Sequence, residues 1–261
     1  MPTIRSGDAD IFYETQGDGD PILWIMGLGL DSRMMLMFTT AFPQYRNIVI
    51  DNRGTGRSSV PPGPYSMPQM ATDAIAVLDD LGIGSARVIG MSLGGAIAQH
   101  VAIAAPSRVS SLALCCTWAG PNEWLRRLNE LSLLEAEAVG YDAILKHTLL
   151  LLFSPKFVIE QAQTVQMFEE MGKQMVAPME PFFAQVAAAM AHDARTPLAS
   201  LSIPTLIMAG RRDVFVPPEL SAELNAIIPG STLKTYDGGH AFMLEDVVNF
   251  NADLTAWFAK G

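Results

Sequence analysis

The sequence predicts an α/β protein in which a mostly parallel central sheet of about eight strands is interrupted by a helical insertion. Short apolar runs rich in β-branched residues alternate with segments of helical periodicity in both the first and the last part of the chain. Between residues 121 and 195 the alternation stops and only helical patterns remain. We therefore expect a core of residues 1–120 and 196–261, and a helical cap of residues 121–195 over the carboxyl edge of the sheet.

Composition narrows the class of protein. The 261 residues are 49% hydrophobic and 17% charged, which favours one folded domain with a large core. The net charge of −10 argues against nucleic acid or an anionic membrane surface as a partner. No apolar run approaches the roughly 20 residues that a membrane helix needs, and the amino terminus does not resemble a signal peptide. A cytoplasmic protein is expected, and the sequence does not specify its oligomeric state.

Each element follows from a local pattern of apolar residues and turn residues. The first strand is expected to be antiparallel to its neighbour, and the later ones, apolar on both faces, to be parallel. The expected strands are residues 11–15, 21–26, 47–50, 87–89, 111–115, 203–209 and 232–236. The expected helices are residues 34–42, 66–81, 94–105, 124–138, 141–153, 156–171, 181–191, 219–227 and 245–258.

One tight turn between a strand and a helix holds the strongest chemical signal. The stretch GMSLG, residues 90–94, follows a β-branched strand and precedes a helix of small apolar residues. Glycines on both sides of Ser92 let the strand and the helix pass closely, so that the hydroxyl projects from the edge of the sheet. The free N–H groups of the helix then face the space in front of this oxygen. The pattern predicts that Ser92 is a nucleophile.

The residues that would activate such a serine follow later strands. Asp213 and His240 both come directly after strand patterns, and the carboxyl ends of parallel strands share one crevice. An imidazole can accept the proton of Ser92, and a carboxylate can orient that imidazole. Asp51 and Asp237 also follow strands, so either could in principle be the acid, although Asp213 is favoured.

Four segments carry a resemblance to a known family. They are GMSLGG around Ser92, DNRGTGRS from Asp51, GRRDVFVP around Asp213 and GGHAFMLED around His240. With these motifs in this order, the chain resembles the α/β-hydrolase superfamily over nearly its whole length, and in particular its capped serine carboxylesterases and lactonases. The resemblance implies an α/β-hydrolase fold in which Ser92 is the nucleophile, His240 the base and Asp213 the acid. It implies no cofactor and no metal.

The resemblance also implies an oxyanion hole. Its donors would be the backbone N–H groups of Leu28 and Leu93. Members of the family commonly carry His-Gly in the first of these loops, where this chain has Met26 and Gly27. Because that histidine is thought to brace the loop, its replacement by Met26 raises the question of what holds the loop here.

The expected cap is rich in methionine and phenylalanine, which indicates core packing or the lining of an apolar pocket. Candidate substrate contacts are Gly27, Met91, Phe182 and Phe183. The aromatic and methionine residues of the cap are Phe153, Phe157, Met167, Phe168, Met171, Met175, Met179, Phe182, Phe183 and Met190.

Other residues have simpler interpretations. Cys115 and Cys116 are adjacent in a buried strand pattern, where alternate side chains face opposite ways, so free buried thiols are expected. His100 and His147 are interpreted as packing or surface residues. His192 is interpreted as a surface or hinge residue, with a substrate contact as the alternative.

These patterns and the resemblance together imply a serine hydrolase that cleaves a small, largely apolar carboxylic ester or lactone through an acyl-enzyme on Ser92. Its partner would be a small-molecule substrate. Three alternatives remain open at this point: a carbon–carbon bond hydrolase of a dione ring-fission product, perhydrolysis or haloperoxidation as a side reaction of the acyl-enzyme, and a small-ligand receptor with the same fold.

Overall fold

A computed structural model describes residues 2–174 and 179–259, with the side chains of residues 141–143 left out. Within these residues the chain forms an eight-stranded sheet flanked by helices. The strands are β1 Thr3–Ser6, β2 Ala9–Gln16, β3 Pro21–Ile25, β4 Arg46–Ile50, β5 Ala86–Met91, β6 Val109–Cys115, β7 Thr205–Gly210 and β8 Thr232–Tyr236.

The order of the strands in the sheet is β1-β2-β4-β3-β5-β6-β7-β8. β2 pairs antiparallel with both β1 and β4, and every later pairing in the sheet is parallel. This confirms the predicted α/β class, the mostly parallel sheet and its antiparallel beginning. β1, which the sequence patterns did not separate from β2, pairs with it through a turn in which Gly7 has a φ of 57°.

The helices agree with the predicted segments except at several ends. They are α1 Ser32–Thr39, α2 Met67–Asp80, α3 Leu93–Ala104, α4 Glu123–Val139, α5 Tyr141–Leu152, α6 Pro155–Glu160, α7 Ala162–Gln174, α8 Met179–Ala191, α9 Arg195–Leu198, α10 Pro218–Ile227, α11 Phe242–Glu245 and α12 Val247–Phe258.

The largest differences lie where one helix was predicted and two are found. The segment 156–171 forms α6 and α7, with a break at Gln161, and the segment 245–258 is α12, preceded by the short α11. α1 begins two residues early because the Asp31 side chain accepts a hydrogen bond from the backbone N–H of Arg33, which caps the helix. Helix ends of this kind depend on single side chains, and the periodicity of the apolar residues does not reveal them.

Two layers of apolar side chains bury the faces of the sheet. On one face α2, α3 and α10 pack with residues such as Ile97 and Leu224, and on the other α1 and α12 pack around Trp24, Phe42 and Phe250. The two layers hold the carboxyl ends of β3, β5, β7 and β8 at one edge, where the predicted chemical residues lie.

Helices α4–α8, which we call the cap helices, lie between β6 and β7 in sequence. The chain leaves and returns to the sheet at one point, because Ala194 N–H donates to Ala119 O at 2.7 Å and Arg195 Nη2 donates to Gly120 O at 2.8 Å. The division into a core and a cap at residues 121 and 195 stays a prediction. Met175, one of the predicted apolar residues of the cap, lies outside the described residues.

Within residues 2–174 and 179–259, no helix is both long enough and apolar enough to cross a membrane.

Candidate active site

Ser92 occupies a backbone conformation that few residues adopt. It stands between β5 and α3 with φ 54° and ψ −118°, and hydrogen bonds to its backbone hold it there: Ser92 N–H donates to Cys115 O at 2.9 Å and Thr117 Oγ1 donates to Ser92 O at 2.8 Å. A Cβ at Gly94 would lie 2.1 Å from Ile25 O, and one at Gly90 would lie 2.3 Å from Gly94 O. Only glycine at both positions therefore allows the strand and the helix to approach this closely.

His240 and Asp213 form a buried pair at the ends of β8 and β7. His240 Nδ1 lies 2.7 Å from Asp213 Oδ2, and the two side chains are 7% and 1% exposed. The other carboxylate oxygen, Asp213 Oδ1, accepts hydrogen bonds from the backbone N–H groups of Phe215 at 2.9 Å and Val216 at 2.7 Å. Asp213 is thereby fixed, and it fixes the orientation of the imidazole. The second ring nitrogen of His240 is left for another partner.

The electrostatic environment of His240 favours its charged form. Burial lowers the pKa of His240, but the Asp213 carboxylate and the Cys116 side chain together outweigh burial and raise this pKa well above 6.5. The side chain of Cys116 also lies against His240, and burial raises the pKa of this thiol. Cys116 therefore stays protonated near neutral pH, and His240 is the group in this cluster that can exchange a proton there.

The two other candidate acids lie elsewhere. Asp51 is buried and accepts hydrogen bonds from Ser32 N–H at 2.7 Å and Arg57 N–H at 2.8 Å, so both of its oxygens hold backbone in place. Asp237 is half exposed and pairs with Arg212 at 2.9 Å. Of the three acids that follow strands, Asp213 is the one that the structure places against His240.

The loop after β3, residues 26–30, which we call the β3 loop, lies directly beside Ser92. A Cβ at Gly27 would lie 3.3 Å from Ser92 Cβ, and both Gly27 and Leu28 line the cavity that contains Ser92. Leu93 directly follows Ser92 and is the first residue of α3, so no carbonyl one turn earlier in the helix accepts its N–H. The two predicted oxyanion donors thus both belong to segments next to the serine.

A cavity of about 190 Å³ lies between the cap helices and the carboxyl edge of the sheet. Ser92, His240 and Cys116 lie at its base. Its walls are mainly apolar and include Phe38, Leu149, Phe153, Phe168 and Leu244. Polar side chains of its lining outside the base are Asn129, Ser132 and Thr148. No Asp, Glu, Lys or Arg is found among the described residues that line it.

Three of the four candidate substrate contacts line this cavity. Gly27, Met91 and Phe182 are part of the lining, whereas Phe183 is not; its ring packs against that of Phe182, with a distance of 6.1 Å between centroids. Met26, which stands where relatives commonly have histidine, is 4% exposed and also part of the lining.

The remaining histidines lie away from the cavity. His192 is 3% exposed, and its ring lies 3.2 Å from both Trp118 O and His100 Nε2. Burial, reinforced by His100, lowers the pKa of His192 to about 4, so its ring is neutral near pH 7. His192 packs where the cap segment returns to the sheet and is not part of the lining of the cavity. His147 pairs with Glu135 at 2.7 Å between two cap helices.

Sequence patterns missed two residues of this region. Cys116 is a free buried thiol, as predicted, but its φ of 44° directly after β6 and its place in the lining of the cavity were not predicted. Gln185, in the middle of α8, is fully buried and contacts the β3 loop. A signal for Gln185 is present in the sequence, since it is a single long polar residue inside the apolar stretch FFAQVAAAM.

Comparison with known proteins agrees with this geometry. A family model described as the alpha/beta hydrolase fold matches residues 21–247. The chain is 35% identical over 256 residues to “Putative carbamate hydrolase RutD” of Azorhizobium caulinodans, which covers 95% of this chain and 96% of that protein. It is 29% identical over 258 residues to 3-oxoadipate enol-lactonase 2 of Acinetobacter baylyi, which covers 97% of this chain and 95% of that protein.

A solved structure shows the same fold. The enol-lactonase of Burkholderia xenovorans LB400 superposes with a TM-score of 0.89 at 23% identity, over 99% of this chain and 100% of that chain. The fold and the strained serine turn define an α/β hydrolase. The chain belongs to the alpha/beta hydrolase fold family, as its four motifs predicted.

Proposed function

We propose that the protein is a serine hydrolase that cleaves a small, uncharged, largely apolar ester or lactone through an acyl-enzyme on Ser92. The observation that carries this proposal is the buried His240–Asp213 pair, 2.7 Å between Nδ1 and Oδ2, at the base of the cavity that also contains Ser92. Asp213 occupies one ring nitrogen of His240, which leaves the other to serve the serine.

The proposed reaction has two halves. Ser92 Oγ attacks the carbonyl carbon and gives its proton to His240, while the N–H groups of Leu28 and Leu93 bind the developing oxyanion. His240 then protonates the leaving alkoxide, and the acyl group remains on Ser92. In the second half His240 takes a proton from water, the hydroxide attacks the acyl carbon, and Ser92 recovers its proton as the acid departs.

The lining of the cavity supports an uncharged substrate. A carboxylate or ammonium group in the substrate would lose its hydration there, and no described side chain of opposite charge lines the walls to compensate. The three polar residues, Asn129, Ser132 and Thr148, can serve a neutral polar group but not a full charge. An apolar acyl or alcohol chain fits the remaining walls.

Two further reactions use the same machinery and are included in the test. Carbamate hydrolysis is favoured by the name of the 35% identical relative, and it would proceed through a carbamoyl group on Ser92. Carbon–carbon cleavage of a dione is the second reaction. It would use the same triad as ester cleavage, so the triad alone does not distinguish the two.

The test is a panel of p-nitrophenyl esters from acetate to decanoate, with a lactone, an uncharged alkyl carbamate and a ring-fission dione measured beside them. We expect the esters and the lactone to be hydrolysed fastest, with an optimum at intermediate chain length. Faster turnover of the carbamate or the dione would replace the ester proposal by that reaction. If the wild type turns over no compound faster than Ser92→Ala does, the small-ligand receptor is the interpretation that remains.

Met34→Trp should shift the preference of the enzyme to shorter chains. Met34 lies on α1 and lines the cavity, so a larger side chain there shortens the space for the acyl group. We expect the ratio of kcat/KM for octanoate to that for acetate to fall about tenfold. Met37→Trp is the matched control, since Met37 is on the same helix, 38% exposed and outside the lining. Equal ratios in the two variants would contradict the placement of the acyl chain.

A further inference from the structure

We propose that Gln185 is a positioning residue through which the cap helices hold the β3 loop, and with it the Leu28 N–H, in the geometry that an oxyanion requires. This inference rests on the proposed function, because it assigns that loop an oxyanion. It identifies what holds the loop in a chain that has Met26 where a histidine is common.

The first observation is the double hydrogen bond of the Gln185 side chain. Its Oε1 accepts from Gly29 N–H at 3.1 Å, one residue after Leu28. Its Nε2 donates to Arg53 O at 2.9 Å, in the loop after β4. The amide therefore bridges two loops of the sheet from a helix of the cap, and its residue is 0% exposed.

The second observation is that the far end of this bridge is rigid. The Arg53 side chain is 2% exposed and forms a two-pronged ion pair with Asp73, at 2.7 Å and 2.8 Å, and it also pairs with Asp8 at 3.0 Å. Arg53 is therefore held on both sides of its guanidinium, and its carbonyl is a fixed anchor for the Gln185 amide.

The third observation concerns the other contacts of the β3 loop. Asn52 Nδ2 donates to Met26 O at 3.0 Å and holds the start of the loop. Beyond it the loop turns at Gly29, where φ is 68°, and Leu30 N–H returns to Gly27 O at 3.4 Å. That return bond is long, so the Gln185 contact to Gly29 is the shorter of the two that fix the loop beyond Leu28.

The packing of α8 reinforces the bridge. A Cβ at Gly54 would lie 2.5 Å from Pro181 Cβ, and one at Gly29 would lie 3.9 Å from the ring of Phe182. One face of α8 thus rests on both loops, with Gln185 at its centre. Displacement of α8 would remove the hydrogen-bond acceptor from Gly29. The β3 loop would therefore be in its active geometry only while α8 packs against it.

The test uses Gln185→Met, which keeps the length of the side chain and removes both hydrogen bonds. With the best ester of the panel, we expect kcat to fall about tenfold while KM changes less than twofold, since an oxyanion contact acts in the transition state. The dissociation constant of butylboronic acid should rise by a similar factor, because its adduct with Ser92 Oγ places a boron-bound oxygen in the oxyanion site. Exchange of the Gly29 amide with deuterium should accelerate.

Two controls separate positioning from general stability. Gln166→Met makes the same change on the exposed face of α7, and it should leave kcat, boronate affinity and amide exchange unchanged. Gln185→Asn keeps the amide on a side chain that is one methylene shorter, so we expect its effects to lie between those of the wild type and of Gln185→Met. If Gln185→Met does not fold, Gln185→Asn alone provides the test.

The outcomes distinguish this inference from the proposed function. If the wild type shows Ser92-dependent turnover and the variants at residue 185 match it in kcat and in boronate affinity, Gln185 has no positioning role and the hydrolase proposal stands. Should the wild type show no such turnover, the amide exchange still decides: faster exchange at Gly29 supports the bridge, and unchanged exchange overturns it.

Discussion

Ser92→Ala should lower kcat/KM for the preferred ester by about 10⁶-fold, the magnitude that loss of the nucleophile has in a serine hydrolase. The loss is large because no other group in the cavity replaces the Ser92 hydroxyl as the nucleophile. The Cys116 thiol is the nucleophilic group that lies against His240, and burial raises its pKa and keeps it protonated. Steady-state hydrolysis of p-nitrophenyl esters measures the effect, and a burst of p-nitrophenolate should appear in the wild type alone.

A covalent probe complements this measurement. An alkyl fluorophosphonate should add one phosphonyl group to the wild type at Ser92, detectable as a mass shift, and none to Ser92→Ala. Cys116→Ser, which keeps the volume of the side chain, should react like the wild type. Turnover that survives in Ser92→Ala, or a mass shift located on Cys116, would contradict the assignment of the nucleophile.

Asp213→Asn should lower kcat/KM by about 10⁴-fold, because an amide in its place no longer stabilises the imidazolium and disturbs the tautomer of His240. It should also move the pH profile. In the wild type burial lowers the pKa of His240, and the Asp213 carboxylate, with a smaller contribution from Cys116, raises it well above 6.5. The base is neutral, and the free enzyme active, only above that pKa, so kcat/KM should rise with pH through it.

Removal of the carboxylate leaves burial as the dominant influence on His240, and burial lowers its pKa. The acid limb of the residual activity in Asp213→Asn should therefore lie at lower pH than that of the wild type. Asp237→Asn is the control, since Asp237 also follows a strand but pairs with Arg212 at the surface; its rate and pH profile should match the wild type. An acid limb that does not move would contradict the pairing of Asp213 with His240.

Periodicity and the positions of strand ends were enough to predict much of this protein. The alternation of apolar runs predicted the sheet, and the rule that parallel strands end at one edge predicted that Ser92, Asp213 and His240 lie in one crevice. The side-chain contacts that exclude Asp51, which holds backbone N–H groups, are tertiary, so the sequence left it as an alternative.

Contacts between distant segments were the part that the sequence did not reveal. Gln185 lies 156 residues from Gly29, and nothing local to either residue indicates that they meet. For Cys116 the strand pattern predicted a buried free thiol, but it did not show the positive φ directly after β6 that places this thiol beside His240. Gln185 takes its position from the packing of α8 on the sheet edge, whereas Cys116 takes its position from the turn after β6, where its N–H donates to Met208 O at 2.8 Å.

The chain segment that carries the cap helices begins and ends at one place, because Ala194 N–H donates to Ala119 O at 2.7 Å. This segment could therefore be exchanged between related proteins. A segment whose ends touch can be lengthened, shortened or replaced without stretching the sheet, and the entropy of closing the larger or smaller loop changes little. Grafting another relative's segment at this junction is therefore a route to new substrate preferences. Such a graft would retain full rate only if it supplied its own amide at the place of Gln185.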